Sequence, residues 1–190
     1  MNLFKVLKPV PYLESFRRPA IILELSKYTK NNEKVLDIGC GYGGILYELK
    51  KIKNIKPLGI DKHVKTSLIP FIKADGKKLP FKNKQFDVSL MIDVLHHTKN
   101  MGNILKEASR VSKKIIIKDH FYETGFQKIR LKIIDFLANV WHNVPLPFNF
   151  LTLKEWEQLF ESLNLKIVKM NKDFKINRFD IISHVFFVVK

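Results

Sequence analysis

The sequence predicts an α/β fold: a mainly parallel sheet with helices on both faces, ending in an antiparallel pair of strands. Three observations carry this. Short apolar runs alternate with stretches of helical periodicity, the pattern of βαβ units. The first run, Lys34 to Ile38, ends in a glycine-rich turn that opens into a helical stretch. The last two apolar runs have no helix between them, so they should pair with each other antiparallel.

The elements follow in order. The opening segment, MNLFKVLKPVPYLESFRRP, is basic and apolar and is broken by Pro9 and Pro11 before a signal-peptide run can form. A lid, a packed arm or a membrane-surface contact all stay open for it. Residues 34–38 read as a buried strand. Residues 43–51 carry Ile45, Leu46 and Leu49 at helical spacing. A second strand covers 55–60 and is closed by Asp61, a short third covers 71–73, a fourth 85–92 and a fifth 114–118. A helix over 103–111 separates the last two. Residues 126–141 have helical spacing at Ile129, Ile133, Phe136, Leu137, Val140 and Trp141. Two placements stay open for that helix: packed on the sheet, or forming a substrate-side cap, since ligands bind beyond the carboxyl ends of parallel strands. Thr152-Leu-Lys-Glu155 is a capping box with Leu151 and Trp156 as its hydrophobic staple. The helix so started has Trp156, Leu159, Phe160 and Leu163 toward the core, and Asn164 suits its end. The final strands are expected over 166–173 and 181–189.

Length and composition bound the rest. A chain of 190 residues, 46% hydrophobic and 27% charged, lies in the globular range. One domain over 1–190 is expected, with an N-terminal arm and helix over 1–30 and a cap over 119–150. The single cysteine, Cys40, excludes an internal disulfide framework, and no Cys/His cluster has zinc spacing. No metal and a reducing, cytoplasmic setting are therefore expected. No apolar run approaches the roughly 18 residues of a spanning helix. Lysine and arginine number 34 against 18 acidic residues, a net charge of +16. Nearly all of the excess is lysine spread along the chain. A polyanion-binding surface, for RNA or an anionic membrane, and merely solvated lysine faces both fit it.

The chemistry-bearing motif is Val35-Leu-Asp-Ile-Gly-Cys-Gly-Tyr-Gly43. Its glycines allow a sharp turn and close approach of a ligand, and the helix that follows offers free N–H groups. Asp61, about twenty residues on, stands where an acid meets ribose hydroxyls. Gly39, Gly41 and Gly44 also satisfy the dinucleotide pattern GxGxxG. Asp37 argues against that reading, because a carboxylate ahead of the glycines suits a cationic ligand better than a pyrophosphate.

The chain resembles the class I S-adenosylmethionine-dependent methyltransferases, of the methyltransferase type 11-like kind, from about Lys34 to Lys190. VLDIGCGYG is similar to the family's motif I, and GIDKH (59–63) to its acidic second-strand end. KADGKKLPF (73–81) and FDVSLMIDVLHHTKN (86–100) are similar to its third- and fourth-strand motifs. The resemblance implies a three-layer Rossmann-like fold with a seven-stranded, mostly parallel sheet and a C-terminal antiparallel hairpin, and S-adenosyl-L-methionine as cofactor. It also implies site roles. Gly39, Cys40 and Gly41 would pass under the methionine part, and Asp37 would hold the loop and the amino end. Asp61 would bind the ribose hydroxyls with Lys62 beside the adenine. Asp75 and the Gly76 N–H would meet the adenine edge. Met91, Ile92 and Asp93 would face the methionine moiety and the methyl group. One departure stands out: between Asp61 and Phe71 the family carries a full helix, and here only KHVKTSLIP remains, enough for one or two turns before Pro70.

Methyl transfer from a sulfonium needs orientation more than a catalytic group. His96 and His97, being adjacent, are not expected to share a helix face. His97 is a candidate base, or a prop for the loop after the fourth strand. Asp119, His120 and Tyr122 are read as following the fifth strand, where an acceptor would sit, with His120 the candidate catalytic group. Arg17 and Arg18 could clamp a carboxylate, or be a helix-start pair ahead of Pro19. The expected function is methyl transfer to a small, apolar or lipid-like acceptor, motivated by Phe121, Phe126, Trp141, Phe148 and Phe150. RNA or tRNA methylation and a non-catalytic cofactor-binding partner subunit remain as alternatives.

Overall fold

In a computed structural model that describes residues 10–64, 67–139, 146–177 and 180–190, with side chains from Arg17 on, the apolar runs become strands of one sheet. The elements are α1 (Val10–Tyr28), β1 (Lys34–Ile38), α2 (Gly44–Ile52), β2 (Lys56–Asp61), β3 (Phe71–Lys73), β4 (Val88–Ile92), α3 (Met101–Val111), β5 (Ile115–His120), α4 (Gly125–Asn139), α5 (Leu153–Ser162), β6 (Ile167–Asn171) and β7 (His184–Val189). The sheet order is β3-β2-β1-β4-β5-β7-β6. β7 runs antiparallel to both β5 and β6, and the other pairs are parallel. β1 has β2 on one side and β4 on the other, so the strand order reverses there. That switch point places a ligand crevice at the carboxyl ends of β1 and β4.

Side chains alternate between two cores, as the pleat requires. Val35, Val88, Leu90, Ile116, Phe186 and Val188 meet α1 and α2 through Ile21, Leu25, Leu46 and Leu49. Leu36, Met91, Ile117, Phe187 and Val189 meet α3 and α5 through Leu105, Ala108, Trp156 and Phe160. This is the three-layer, seven-stranded arrangement that the sequence predicts. The capping box is in place: Glu155 N–H donates to Thr152 Oγ1 and Thr152 N–H to Glu155 Oε2. Asn164 takes the left-handed conformation (φ 54°) just beyond the helix end.

Four expectations change. β5 continues two residues further, so Asp119 and His120 belong to the strand rather than follow it. Arg17 and Arg18 lie inside α1, which runs through Pro19, and are not a helix-start pair. The described residues between β2 and β3 form no helix, and a cavity of about 340 Å³ lined by Tyr47, Pro57, Leu68 and Pro70 opens there. The stripe of α4 also faces outward: Phe126, Ile129, Ile133, Phe136 and Leu137 are exposed, and the helix buries only Leu131 and Asp135. Leu131 and Asp135 are four residues apart and so share the inner face, which turns the stripe away. Phe126 therefore cannot share a pocket with Phe121 and Phe150, which are buried. The arm over 1–9 and Val140 and Trp141 of the expected cap lie outside the described residues.

Candidate cofactor and acceptor site

The turn after β1 is built on backbone that only glycine adopts readily. Gly39, Gly41 and Gly43 have φ of 80°, 51° and 74°. A Cβ on Gly39 would strike Val94, and one on Gly43 would strike Ser67 and Ile69. One on Gly41 would meet nothing within 4 Å among the described residues, which leave the turn open at that point. Gly39 and Cys40 donate their N–H groups to the Ile60 carbonyl, which ties the turn to β2. The Cys40 thiol packs against Gly59, and burial together with the charges of Asp37 and Asp61 pushes its pKa up to about 12. It is an inert packing group.

Asp61 ends β2 and closes the turn. Its Oδ2 accepts the Gly41 N–H at 2.9 Å, and its Oδ1 accepts those of His63 and Val64 at 2.7 and 3.1 Å. Asp37 is buried beside it, and burial and then the Asp61 charge raise its carboxyl to about 7. Arg18 lies with its guanidinium against Gly44 at the start of α2. Lys62 and Asp75 are exposed, and Gly76 is buried at φ 75°. Asp75 Oδ1 accepts the Lys77 N–H. The open face at Gly41, the Asp61 carboxylate fixed beside it and the buried acid of Asp37 fit a nucleoside with a cationic tail.

Beyond the ends of β4 and β5 lies a polar cluster that the sequence shows only in part. Met91 and Ile92 bury their side chains in the two cores, so at this strand end the polar side chain is that of Asp93. Asp93 has φ 56° and pairs with Arg17 from α1, with Lys118 at 2.6 Å and with His120 at 3.3 Å. Burial opposes its charge, but Lys118 and Arg17 hold it well below the usual carboxylate range. Lys118 is fully buried, and burial lowers its pKa against the pull of Asp93. Burial and the Lys118 charge push His120 well below its ordinary value, so it is a neutral imidazole, with Nδ1 buried and without a hydrogen-bond partner among the described residues.

His96 and His97 occupy a 3₁₀ turn, Leu95–His97, and their rings lie 4.0 Å apart. Contrary to the expectation of separate faces, both Nε2 atoms approach Asp135 Oδ1 on α4, at 3.6 and 3.5 Å. The tight turn and the convergence of two rings on one carboxylate override the angular spacing of an α-helix. His96 Nδ1 lies 2.6 Å from Asp119 Oδ1. Burial opposes a charge on His96, but Asp119 overrides it and raises its pKa to about 10. Asp119 also accepts the N–H groups of Leu95, His96 and His120. Tyr122 turns to α4, where its hydroxyl accepts from Lys128 Nζ at 2.9 Å. Sequence reading missed Lys118, Asp135 and His184. His184 stands opposite His120 in the β5–β7 register and is 2.8 Å from Asp180. Its visible signal was an isolated histidine in a strand of Val and Phe.

The family model of the methionine biosynthesis protein MetW matches residues 20–181. Cycloartenol-C-24-methyltransferase 1 of Oryza sativa is 31% identical over 141 residues, 63% of this chain and 41% of that protein. The tRNA (carboxymethyluridine(34)-5-O)-methyltransferase of Schizosaccharomyces pombe is 28% identical over 115 residues, 57% of this chain and 45% of that protein. The chain thus spans about two-fifths of the length of these relatives. A Haloferax volcanii methyltransferase solved in complex with the Trm112 methyltransferase activator superposes with a TM-score of 0.69 at 14% identity, covering 100% of this chain and 97% of that one. A SAM-dependent methyltransferase from Methanosarcina mazei gives 0.66 at 20%, covering 87% and 95%. At these identities the structures speak for the fold alone.

Proposed function

Because the chain belongs to the MetW family, within the class I S-adenosylmethionine-dependent methyltransferases, we propose that it transfers a methyl group from S-adenosyl-L-methionine to a small, apolar or lipid-like acceptor at an anionic membrane surface. The observation that carries the cofactor half is the glycine turn, open at Gly41 and fastened to Asp61. Asp61 would take the ribose hydroxyls, Asp75 and the Gly76 N–H the adenine edge with Lys62 beside it, and Gly39, Cys40 and Gly41 the methionine part. Asp37 would favour the ammonium end. The cofactor supplies a methyl already activated by its sulfonium.

The chain's own contribution is then positioning, which can be worth about 7–11 kcal/mol. His120, held neutral by burial and Lys118, is suited to orienting an acceptor by accepting a hydrogen bond and not to taking its proton. His97 faces Asp135 and is assigned a positioning role. The acceptor half rests on α4. Its outward stripe is flanked by Arg130 and Lys132, which suits an anionic apolar interface. The relative named for cycloartenol, an apolar substrate, agrees with it. A cytoplasmic location is kept as part of this proposal.

A second reading, methylation of tRNA, draws on the net charge of +16 and on the fission-yeast relative. Transfer of labelled methyl to a lipid extract and to bulk tRNA, run side by side, separates the two. Label in the organic phase supports the first, and label in tRNA the second. Label in neither until a partner protein is added supports a two-subunit enzyme. Failure to bind the cofactor sinks all three.

A further inference from the structure

The methyl-transfer reading gives Asp135 no contact with cofactor or acceptor, yet α4, which otherwise buries only Leu131, buries this acid against two histidines. We propose that His96, His97 and Asp135 bind a divalent transition-metal ion of the zinc class, with Asp119 orienting His96 from behind. The absence of zinc spacing in the sequence does not bear on this site, because the fold brings its ligands together from the turn after β4 and from α4.

Geometry is the first argument. The two Nε2 atoms lie 3.6 and 3.5 Å from Asp135 Oδ1, and the ligand atoms of the three residues all lie within 4.8 Å of one another. Those separations exceed a good N–H···O bond, about 2.7–3.2 Å. The two histidine–carboxylate separations are close to the edge of a tetrahedron whose metal–ligand bonds are about 2.1 Å, roughly 3.4 Å.

Two further observations point to a cation. Asp135 Oδ2 is buried and has no hydrogen-bond partner among the described residues, on a residue only 9% exposed. A buried carboxylate oxygen left so is costly, and a cation shared by both oxygens of Asp135 would relieve it. Oδ1 is meanwhile braced by Asn139 Nδ2 at 2.8 Å. On the other side, the 2.6 Å contact of His96 Nδ1 with Asp119 commits that nitrogen, so an ion would take Nε2 and displace the proton it carries in the metal-free protein. This is the carboxylate–histidine–metal arrangement of metal centres. Two imidazoles and one carboxylate are borderline donors, suited to zinc and its neighbours, and they leave a fourth position for water.

Two other groups of His and Asp lie close by and are poorer. In the group of Asp93, His120 and His184, the Lys118 ammonium already stands 2.6 Å from Asp93, and Arg17 pairs with the same carboxylate. The group of His96, Asp119 and His120 would have to give up the His96–Asp119 contact. An ion at His96, His97 and Asp135 would instead fasten α4 to the turn after β4.

The test uses the full chain, stripped with a chelator and titrated with Co²⁺ as the spectroscopic probe and with Zn²⁺. One ion per chain is expected, with the ligand-field bands of a low-coordinate nitrogen–oxygen site. His97→Gln and Asp135→Asn should each weaken binding at least about 100-fold, and Asp119→Asn by about 10–100-fold. His184→Gln and Cys40→Ser should leave it unchanged. Circular dichroism on each variant confirms folding, and His97, at the edge of the cluster, is the variant least exposed to failure there. Zn²⁺ should also slow amide exchange over 125–139. Binding only at millimolar metal, binding that survives both His97→Gln and Asp135→Asn, or binding lost in His184→Gln would each overturn the site. Calorimetry of S-adenosylmethionine on the same metal-free sample keeps the two readings apart: cofactor binding without a metal site sinks this proposal alone.

Discussion

The Gly41 amide donates to Asp61 Oδ2 at 2.9 Å across twenty residues of sequence, so the turn after β1 and the acid ending β2 form one unit. With His63 and Val64 donating to the other oxygen, the carboxylate is fixed before any ligand arrives. A group held in this way loses little freedom on binding, which is the sense in which a site is preorganised.

Asp61→Ala should weaken binding of S-adenosylmethionine or its demethylated product by roughly 2–4 kcal/mol, from the lost charged hydrogen bonds and a loosened turn. Calorimetry reads it directly. An unchanged affinity would remove Asp61 from the ribose site, and tighter binding of NAD would remove the cofactor assignment.

Asp37 gives a pH signature. Its carboxyl sits at about 7 in the folded chain against an ordinary 3.8, raised by burial and then by Asp61. Between those values the folded state holds a proton that the unfolded chain has released. The stability this contributes is complete below the lower value and is lost as pH rises through about 7. Asp37→Asn should therefore gain stability over the parent at pH 8 and little at pH 4, measured by urea unfolding. Affinity for a cationic cofactor should rise with pH through neutrality in the parent and stay flat in the variant. An Asn variant with the parent's pH slope would show that another group titrates.

How much of this was legible in the sequence follows from the range of each interaction. The strand runs, the capping box at Thr152 and the glycine turn with Asp61 are local or fixed by spacing, and they stand where the sequence placed them except at strand ends, where β4 and β7 start three residues later and β5 runs two residues further. The polar cluster is not local. His96 meets Asp119 and Asp135 from two other elements, and His184 reaches His120 only through the β5–β7 register. Arg17 reaches Asp93 across 76 residues. An apolar stripe with helical period also does not say which face is buried. On α4 the telling residue is Asp135, four places after Leu131, because the two share one helix face and both are buried.

The Lys118–Asp93 pair yields a stability prediction. Lys118 is 0% exposed and depends on Asp93 at 2.6 Å for compensation. Asp93→Ala leaves that ammonium buried and uncompensated, and should cost about 3–5 kcal/mol. Arg17→Ala, which removes a partly exposed partner, should cost less than about 1 kcal/mol. Lys118→Met in the Asp93→Ala background should restore much of the loss. Denaturant midpoints for the four proteins check this. Near-equal losses for Arg17→Ala and Asp93→Ala would contradict it.

The last prediction concerns the outward face of α4. Phe126 is 73% and Leu137 64% exposed, with Ile129, Ile133 and Phe136 between them. A stripe of this kind is covered by something when the protein works. Two copies of a chain with net charge +16 repel each other, whereas Arg130 and Lys132 beside the stripe attract anionic headgroups. Each basic residue near such a surface contributes about 1 kcal/mol, and each large apolar side chain that leaves water about 1.5–3 kcal/mol when fully buried. The chain should therefore co-sediment with vesicles rich in phosphatidylglycerol and only weakly with phosphatidylcholine vesicles. Ile129→Asp and Ile133→Asp should each reduce that binding at least about tenfold. Both positions are already exposed, so the melting temperature should shift little, which separates a surface role from a packing role. Added salt should weaken binding without abolishing it, since the apolar part is unscreened. Should the Asp variants sediment like the parent, or the parent ignore anionic vesicles and run as a dimer in the ultracentrifuge, the stripe belongs to another contact and the acceptor loses its membrane setting.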